Sequence, residues 1–372
     1  MKTDLSLYIH IPFCIRKCRY CDFLSFPADE ETKEKYVSML IDEMVDRAQD
    51  FEGRNVITVY IGGGTPSTLS GGCIARIMEM VYKAFDVAKD AEITIEINPG
   101  TVDEDKLREY REAGINRLSI GLQSTHDREL ELLGRIHTYA EFEKTFEMAR
   151  GLGFENINVD LISALPFQSV DDYRESLIRI TKLRPEHISA YSLQLEEDTY
   201  LYEHQDEYSF PTEEEDREMY YLTEEVLEQA GYHRYEISNY SLEGYESRHN
   251  SIYWTRGNYL GIGLGAASLI DEVRMANTDS MFVYMKGFDV AESHELTKRD
   301  RMEEFMFLGL RLTDGVDPED FYSQFGERLQ TVFAKALSRL EGEKLIVIDK
   351  KIKLTKLGLD VSNYVFEQFL LG

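Results

Sequence analysis

Three of the chain's four cysteines fall within the eight residues Cys14-Ile15-Arg16-Lys17-Cys18-Arg19-Tyr20-Cys21. The Cys-x3-Cys-x2-Cys spacing puts three thiolates on one short loop. That suits a cubane iron–sulfur cluster, in which each sulfur reaches a different iron and one iron keeps no protein ligand. Zinc would want a fourth Cys or His to close its tetrahedron. His10, the only local candidate, lies four residues upstream, outside the usual zinc-knuckle spacings. A disulfide would leave an odd thiol and suits a long chain of cytosolic character poorly. Cys73, alone after Gly71-Gly72, reads as a buried structural thiol.

Two further features could serve a ligand. Gly62-Gly63-Gly64-Thr65-Pro66 follows a β-branched run, at the kind of strand exit where parallel α/β proteins bind ligands. Glycines there let the backbone come close and bare its N–H donors, although tight turns need them too. Glu96 lies within an otherwise apolar run, where a carboxylate seldom sits unless paired or functional. The plainer alternative is an outward-facing residue at a strand end.

The elements that must position these groups alternate. Strands are expected at residues 5–10, 56–61, 93–97, 115–122, 156–163 and 187–194, with helices near 30–50, over 70–88 and over 103–113, and helical segments ahead of the last two strands. Such alternation indicates parallel βαβ units. It predicts an α/β fold, a partial (β/α)6 barrel over residues 1–195. Residues 196–297 form a linking and covering region, with an acidic, Tyr-rich start, a helix at 213–230 and short strands after it. Residues 298–372 are helical and then carry a hairpin turning on Asp349-Lys350-Lys351, a smaller α+β, winged-helix-like module suited to packing or partner contact.

With 372 residues, 43% of them hydrophobic, the chain can bury a large core. Its net charge of −28 argues against nucleic acid as a partner and against unspecific attraction to anionic lipid. No apolar run approaches a bilayer span, and the first residues do not read as a signal peptide. The expected place is the reducing cytoplasm.

Tyr8-Ile9-His10-Ile11-Pro12-Phe13-Cys14, followed by Cys18 and Tyr20-Cys21, resembles the radical S-adenosylmethionine (SAM) enzymes. More closely it resembles the branch that holds oxygen-independent coproporphyrinogen III oxidase and the HemW-type haem chaperones. The resemblance implies a [4Fe-4S] cluster on Cys14, Cys18 and Cys21, with SAM chelated at the open iron and cleaved reductively to a 5′-deoxyadenosyl radical. It implies that Tyr8, Gly63, Gly64 and Thr65 line the SAM site. Glu96, in Glu96-Ile97-Asn98-Pro99, would contact SAM, and Gln123, in Arg117-Leu118-Ser119-Ile120-Gly121-Leu122-Gln123-Ser124, would reach its ribose or carboxylate region. Arg135 would clamp a carboxylate, as its planar fork allows, and Asp160 would bind a ribose hydroxyl. Taken alone, Arg135 could equally be a surface helix charge and Asp160 a buried turn carboxylate.

Within that branch, two features discriminate. Coproporphyrinogen oxidases carry one more Cys two residues beyond the third, where this chain has Phe23 in Cys21-Asp22-Phe23. Arg248-His249-Asn250-Ser251-Ile252-Tyr253-Trp254 holds the His-Asn-x-x-Tyr-Trp motif typical of the chaperones. His249 among aromatic rings and a glycine-rich turn could ligate haem iron while the rings stack on the porphyrin. A hydrogen-bonded structural histidine is the plain alternative. The resemblance therefore implies a protein that binds haem and delivers it to haem-requiring recipients, among them membrane-bound respiratory enzymes, from the cytoplasm or the membrane periphery. The alternatives are radical decarboxylation of coproporphyrinogen III and radical degradation of haem.

Overall fold

The structure is a computed structural model and describes residues 4–371. Six strands and their helices follow in order: β1 (Asp4–Ile11), α1 (Glu30–Ala48), β2 (Asn55–Gly63), α2 (Gly71–Ala84), β3 (Asp86–Ile97), α3 (Glu104–Glu112), β4 (Arg117–Gln123), α4 (Asp127–Leu132), α5 (Tyr139–Gly151), β5 (Ile157–Ser163), α6 (Val170–Leu183) and β6 (His187–Ser192). All six strands pair in parallel in sequence order. All of these helices but α4 start where a side chain caps them: Asp29, Ser70, Asp103, Thr138 and Ser169 each accept a first-turn N–H.

The strands alternate by design. In β1, Leu5, Leu7, Ile9 and Ile11 join the main apolar core with Tyr36 and Leu40 of α1 and Ile74 and Ile77 of α2. Their neighbours Ser6, Tyr8 and His10 belong to the other face, as the period of two requires. That second face is mostly polar, and it lines the interior of the half-barrel.

The region after β6 does more than cover. After α7 (Tyr200–Glu203) and α8 (Glu213–Gln229), β7 (His233–Arg234) and β8 (Asn239–Ser241) extend one edge of the sheet beyond β6. Beyond α9 (Arg248–Trp254), β9 (Tyr259–Ile262) pairs in parallel with β1 at the other edge. β10 (Ala267–Ile270), β11 (Val273–Asn277), the short α10 (Met281–Tyr284) and β12 (Val290–Glu295) complete a sheet of order β12-β11-β10-β9-β1-β2-β3-β4-β5-β6-β8-β7. The second helix ends at Ala84 rather than 88, because Asp86 and Val87 pair with Asn55 and Val56 of β2.

A separate apolar core lies in α11 (Lys298–Gly309), α12 (Pro318–Phe325), α13 (Leu329–Val332), α14 (Ala334–Gly342), the antiparallel hairpin β13 (Ile346–Ile348) and β14 (Ile352–Leu354), α15 (Lys356–Asp360) and α16 (Ser362–Glu367). The hairpin turns on residues 349–351. Among the described residues no helix is long and apolar enough to cross a membrane.

Candidate functional site

The cysteine loop leaves β1 and is tied down along its length. Cys14 N–H donates to Phe26 O at 3.1 Å, Phe26 N–H to Pro12 O, and Arg19 N–H to Leu133 O at 2.9 Å. Arg16 donates to Gly134 O at 2.7 Å. From outside, Leu201 N–H reaches Arg19 O, and the Arg19 guanidinium lies over the Tyr200 ring. The three free thiols line one cavity of about 130 Å³ together with Gly63, Gly64, Thr65, Glu96, Gln123, Arg135 and Asp160. Ten of the twelve residues of the expected site thus need no further assembly, and only Tyr8 and His249 lie elsewhere.

Polar groups converge on two of the sulfurs. Thr65 Oγ1 sits 3.4 Å from Cys14 Sγ and accepts from Asn98 Nδ2 at 2.9 Å, which leaves its own proton for the sulfur. Arg135 donates to Asn98 Oδ1 and to Gly121 O, and its other terminal nitrogen points at Cys18 Sγ from 3.6 Å. The chain Cys14–Thr65–Asn98–Arg135–Cys18 therefore delivers donors to both sulfurs. Burial pushes the bare Cys21 thiol up to about 11, a cost that binding to a cation reverses. Room is kept open as well: a Cβ on Gly64 would stand 3.1 Å from Cys14 Sγ and 2.8 Å from Phe13 O. Three thiols with aimed donors and a cleared backbone fit an iron–sulfur cluster.

The glycine exit is held in place by Glu96. Its carboxylate accepts from Gly63 N–H at 3.1 Å and from the Tyr60 hydroxyl at 2.8 Å. Burial, the largest influence, pushes Glu96 up to about 7. Gly63 needs its positive φ of 114°, and a side chain there would strike the His10 ring at 2.5 Å. Gln123 ends β4 in the left-handed region (φ 78°), past a register shift against β5. Asp160 accepts from Asn158 Nδ2 at 2.7 Å, and burial raises its carboxyl. Tyr8 stands behind this wall: its hydroxyl meets His10 Nδ1 at 3.0 Å, while His10 Nε2 faces Leu24 O.

An adjoining cavity of about 340 Å³ shares Cys21, Phe23, Glu96, Gln123 and Asp160 and runs into the half-barrel. Phe23 is 61% exposed at its mouth. Deeper, it is lined by Tyr60, Arg117, Ser119, Asn158, Ser189 and Tyr191, and by Asn250 of α9. Taken singly, none of these lumen residues is conspicuous in the sequence. Their signal is the alternation itself, with polar residues at most alternate positions of β4, β5 and β6, broken by Gly121 and Ile162.

His249 is not in this lining. It is 1% exposed, and Thr58 Oγ1 lies 2.8 Å from Nδ1 and the Tyr253 hydroxyl 2.8 Å from Nε2. Thr58 gives its proton to Ser6, so Nδ1–H donates to Thr58 and Nε2 accepts from Tyr253. Burial, with Arg117 nearby, pulls the ring down to about 3, which keeps it neutral. The Nε2 lone pair that iron would use is thus occupied by Tyr253, and the ring stacks on Tyr60 at 5.0 Å. This geometry matches the hydrogen-bonded alternative. Cys73 is buried on α2, as expected, with its thiol on Glu34.

Comparison with known proteins follows the same lines. The radical SAM superfamily profile matches residues 8–180, and that of the HemN C-terminal domain matches residues 296–361. The chain is 37% identical over 374 residues to the haem chaperone HemW of Bacillus subtilis, covering 98% of this chain and 99% of that one. It is 36% identical over 328 residues to HemW of Escherichia coli, covering 87% and 86%. The solved structure of coproporphyrinogen III oxidase (HemN) from Escherichia coli superposes with a TM-score of 0.89 at 26% identity, covering 100% of this chain and 91% of that one. With a thiol loop, a glycine exit and a polar half-barrel in this order, and with relatives matched from end to end, the chain belongs to the HemW family of the radical SAM superfamily.

Proposed function

We propose that the protein is a haem chaperone, which binds haem at the mouth of its half-barrel and passes it to haem-requiring recipients. The observation that carries this reading is the end-to-end likeness to proteins named haem chaperones. Phe23 supports it, since it stands where the resembling oxidases have one more cysteine.

In this reading Cys14, Cys18 and Cys21 hold a [4Fe-4S] cluster, which supplies an iron open to SAM and single electrons when bound. Thr65 and Arg135 direct donors at the sulfurs. Gly63 and Gly64 keep the backbone out of the ligand's way, and Glu96 fixes the glycine exit. Gln123 and Asp160 present polar atoms to the same cavity. His249 would take haem iron only after Tyr253 lets go of Nε2, so its role here is to hold the Tyr60 wall. Recipients include membrane-bound respiratory enzymes met from the cytoplasmic side.

Radical decarboxylation of coproporphyrinogen III is the second reading, favoured by the superposition on the oxidase. Haem-loaded, anaerobically reconstituted protein mixed with apomyoglobin separates the two. We predict growth of the holomyoglobin spectrum and, in a parallel incubation with SAM, reductant and coproporphyrinogen III, no decarboxylated product. Product formation by a protein that retains no haem would overturn the chaperone reading.

A further inference from the structure

Arg117 is the anomaly of the lumen. It opens β4, is 1% exposed, and lines the 340 Å³ cavity. A guanidinium is permanently charged and carries five donors in a planar fork. Among the described residues it has no ion pair within 4 Å, and its fully buried Nε has no hydrogen-bond partner. Other buried arginines of this chain are engaged: Arg234 donates to Tyr220 and Tyr240, and Arg256 to Glu272 and Glu304. An unpaired buried charge is costly, and proteins keep one mainly where a ligand completes it.

The carboxylates nearest it make their hydrogen bonds elsewhere. Glu96 is committed to Tyr60 and Gly63, and Asp160 to Asn158. Arg117 draws both carboxyls down, but burial outweighs it and raises both, which weakens them as counter-ions. Asn158 is itself held by His187, whose Nδ1–H donates to Asn158 Oδ1 at 2.6 Å. The floor is thus rigid, cationic and open to the cavity.

We propose that Arg117 anchors a carboxylate of the bound ligand at the bottom of the lumen. Resting on the chaperone reading, this names the part of the ligand that enters: a propionate arm of the tetrapyrrole, with the carboxylate of SAM's methionine as the other source of the same chemistry. The planar fork meets the carboxylate in two parallel N–H···O contacts, and Tyr60 and Tyr191 flank its path.

The test is a titration of anaerobically reconstituted wild-type protein with haem, with haem dimethyl ester and with SAM, repeated on Arg117→Gln and Arg117→Lys. Esterifying the propionates should weaken binding to wild-type protein about 10- to 100-fold, the worth of a charge-assisted pair. Arg117→Gln should weaken haem by a similar factor and leave the ester unchanged, with Arg117→Lys between. Weakened SAM binding with unchanged haem binding would assign the anchor to the methionine carboxylate. Equal affinities of haem and its ester for wild-type protein, with haem and SAM both indifferent to Arg117→Gln, would overturn the proposal. Wild-type protein that binds no haem would defeat the chaperone reading instead, and the SAM titration would still decide the anchor. Because the Arg117 side chain makes no hydrogen bond among the described residues, its replacement should not unfold the apoprotein, and the ester comparison needs no variant.

Discussion

The half-barrel and the C-terminal module bury their interiors in opposite ways. The module closes on Met302, Met306, Phe321, Phe325, Phe333, Leu337, Leu340 and Phe369, with Phe321 ringed by Phe305, Phe325 and Phe333. The half-barrel sends its apolar residues outward under the helices and fills its lumen with Ser6, Thr58, Thr94, Arg117, Ser119, Asn158, His187 and Ser189, each at most 3% exposed. Burying polar groups forgoes hydrophobic stabilisation and demands partners for each. The module's interior is what folding alone selects. The lumen's interior, with unpaired atoms on Arg117, Arg135 and Thr94, is what a ligand selects.

The contrast can be broken from either side. The largest effect concerns the thiol loop. Cys18→Ser should abolish the brown chromophore and bound iron, since a hydroxyl is a poor ligand beside thiolate for this cluster, while circular dichroism stays unchanged. Four irons per chain in that variant would contradict the assignment. Phe321→Ala attacks the other interior. It should destabilise the module by about 3–5 kcal/mol in denaturant unfolding and leave iron content alone.

Glu96 sharpens the comparison through pH. Its folded carboxyl, raised to about 7 by burial, resists ionising, whereas the unfolded one ionises near its ordinary value. Its contribution to stability is therefore complete in acid below that ordinary value and is lost as pH rises through about 7. Glu96→Gln should be more stable than the wild-type apoprotein at pH 8 by up to about 3 kcal/mol, with the difference vanishing near pH 4. An equal difference at both pH values in urea unfolding would show that the carboxylate is not buried as described. The smallest effect lies at the entry to the module. Thr297 caps α11 in a capping box with Asp300, and Thr297→Ala should cost about 1 kcal/mol in the same assay.

The sequence disclosed the site better than the space around it. Cys14, Cys18 and Cys21 are legible because three thiols at that spacing have few uses, and Gly63, Gly64 and Glu96 because each is costly where it stands. The six parallel strands are legible because their outward faces are apolar. Arg117, Asn158 and His187 were harder to see, since a single polar residue within a strand is unremarkable until the sheet curls and brings alternate positions together. β7 to β12 are legible only as short strands without bounds or partners, because strands of two to six residues carry too little periodicity to place. His249 shows the limit of reading chemistry from a motif. Its neighbours Tyr253 and Thr58, the latter 191 residues away in the chain, decide what its nitrogens do.

The most direct test of the account is a haem titration of anaerobically reconstituted protein, followed at the Soret band with the cluster absorbance recorded alongside. Saturable binding of one haem per chain with the cluster intact is the predicted result, and His249→Ala should leave its stoichiometry unchanged. A Soret signal that grows linearly without saturation, as for haem adsorbed unspecifically, would contradict the claim that this half-barrel is a haem carrier.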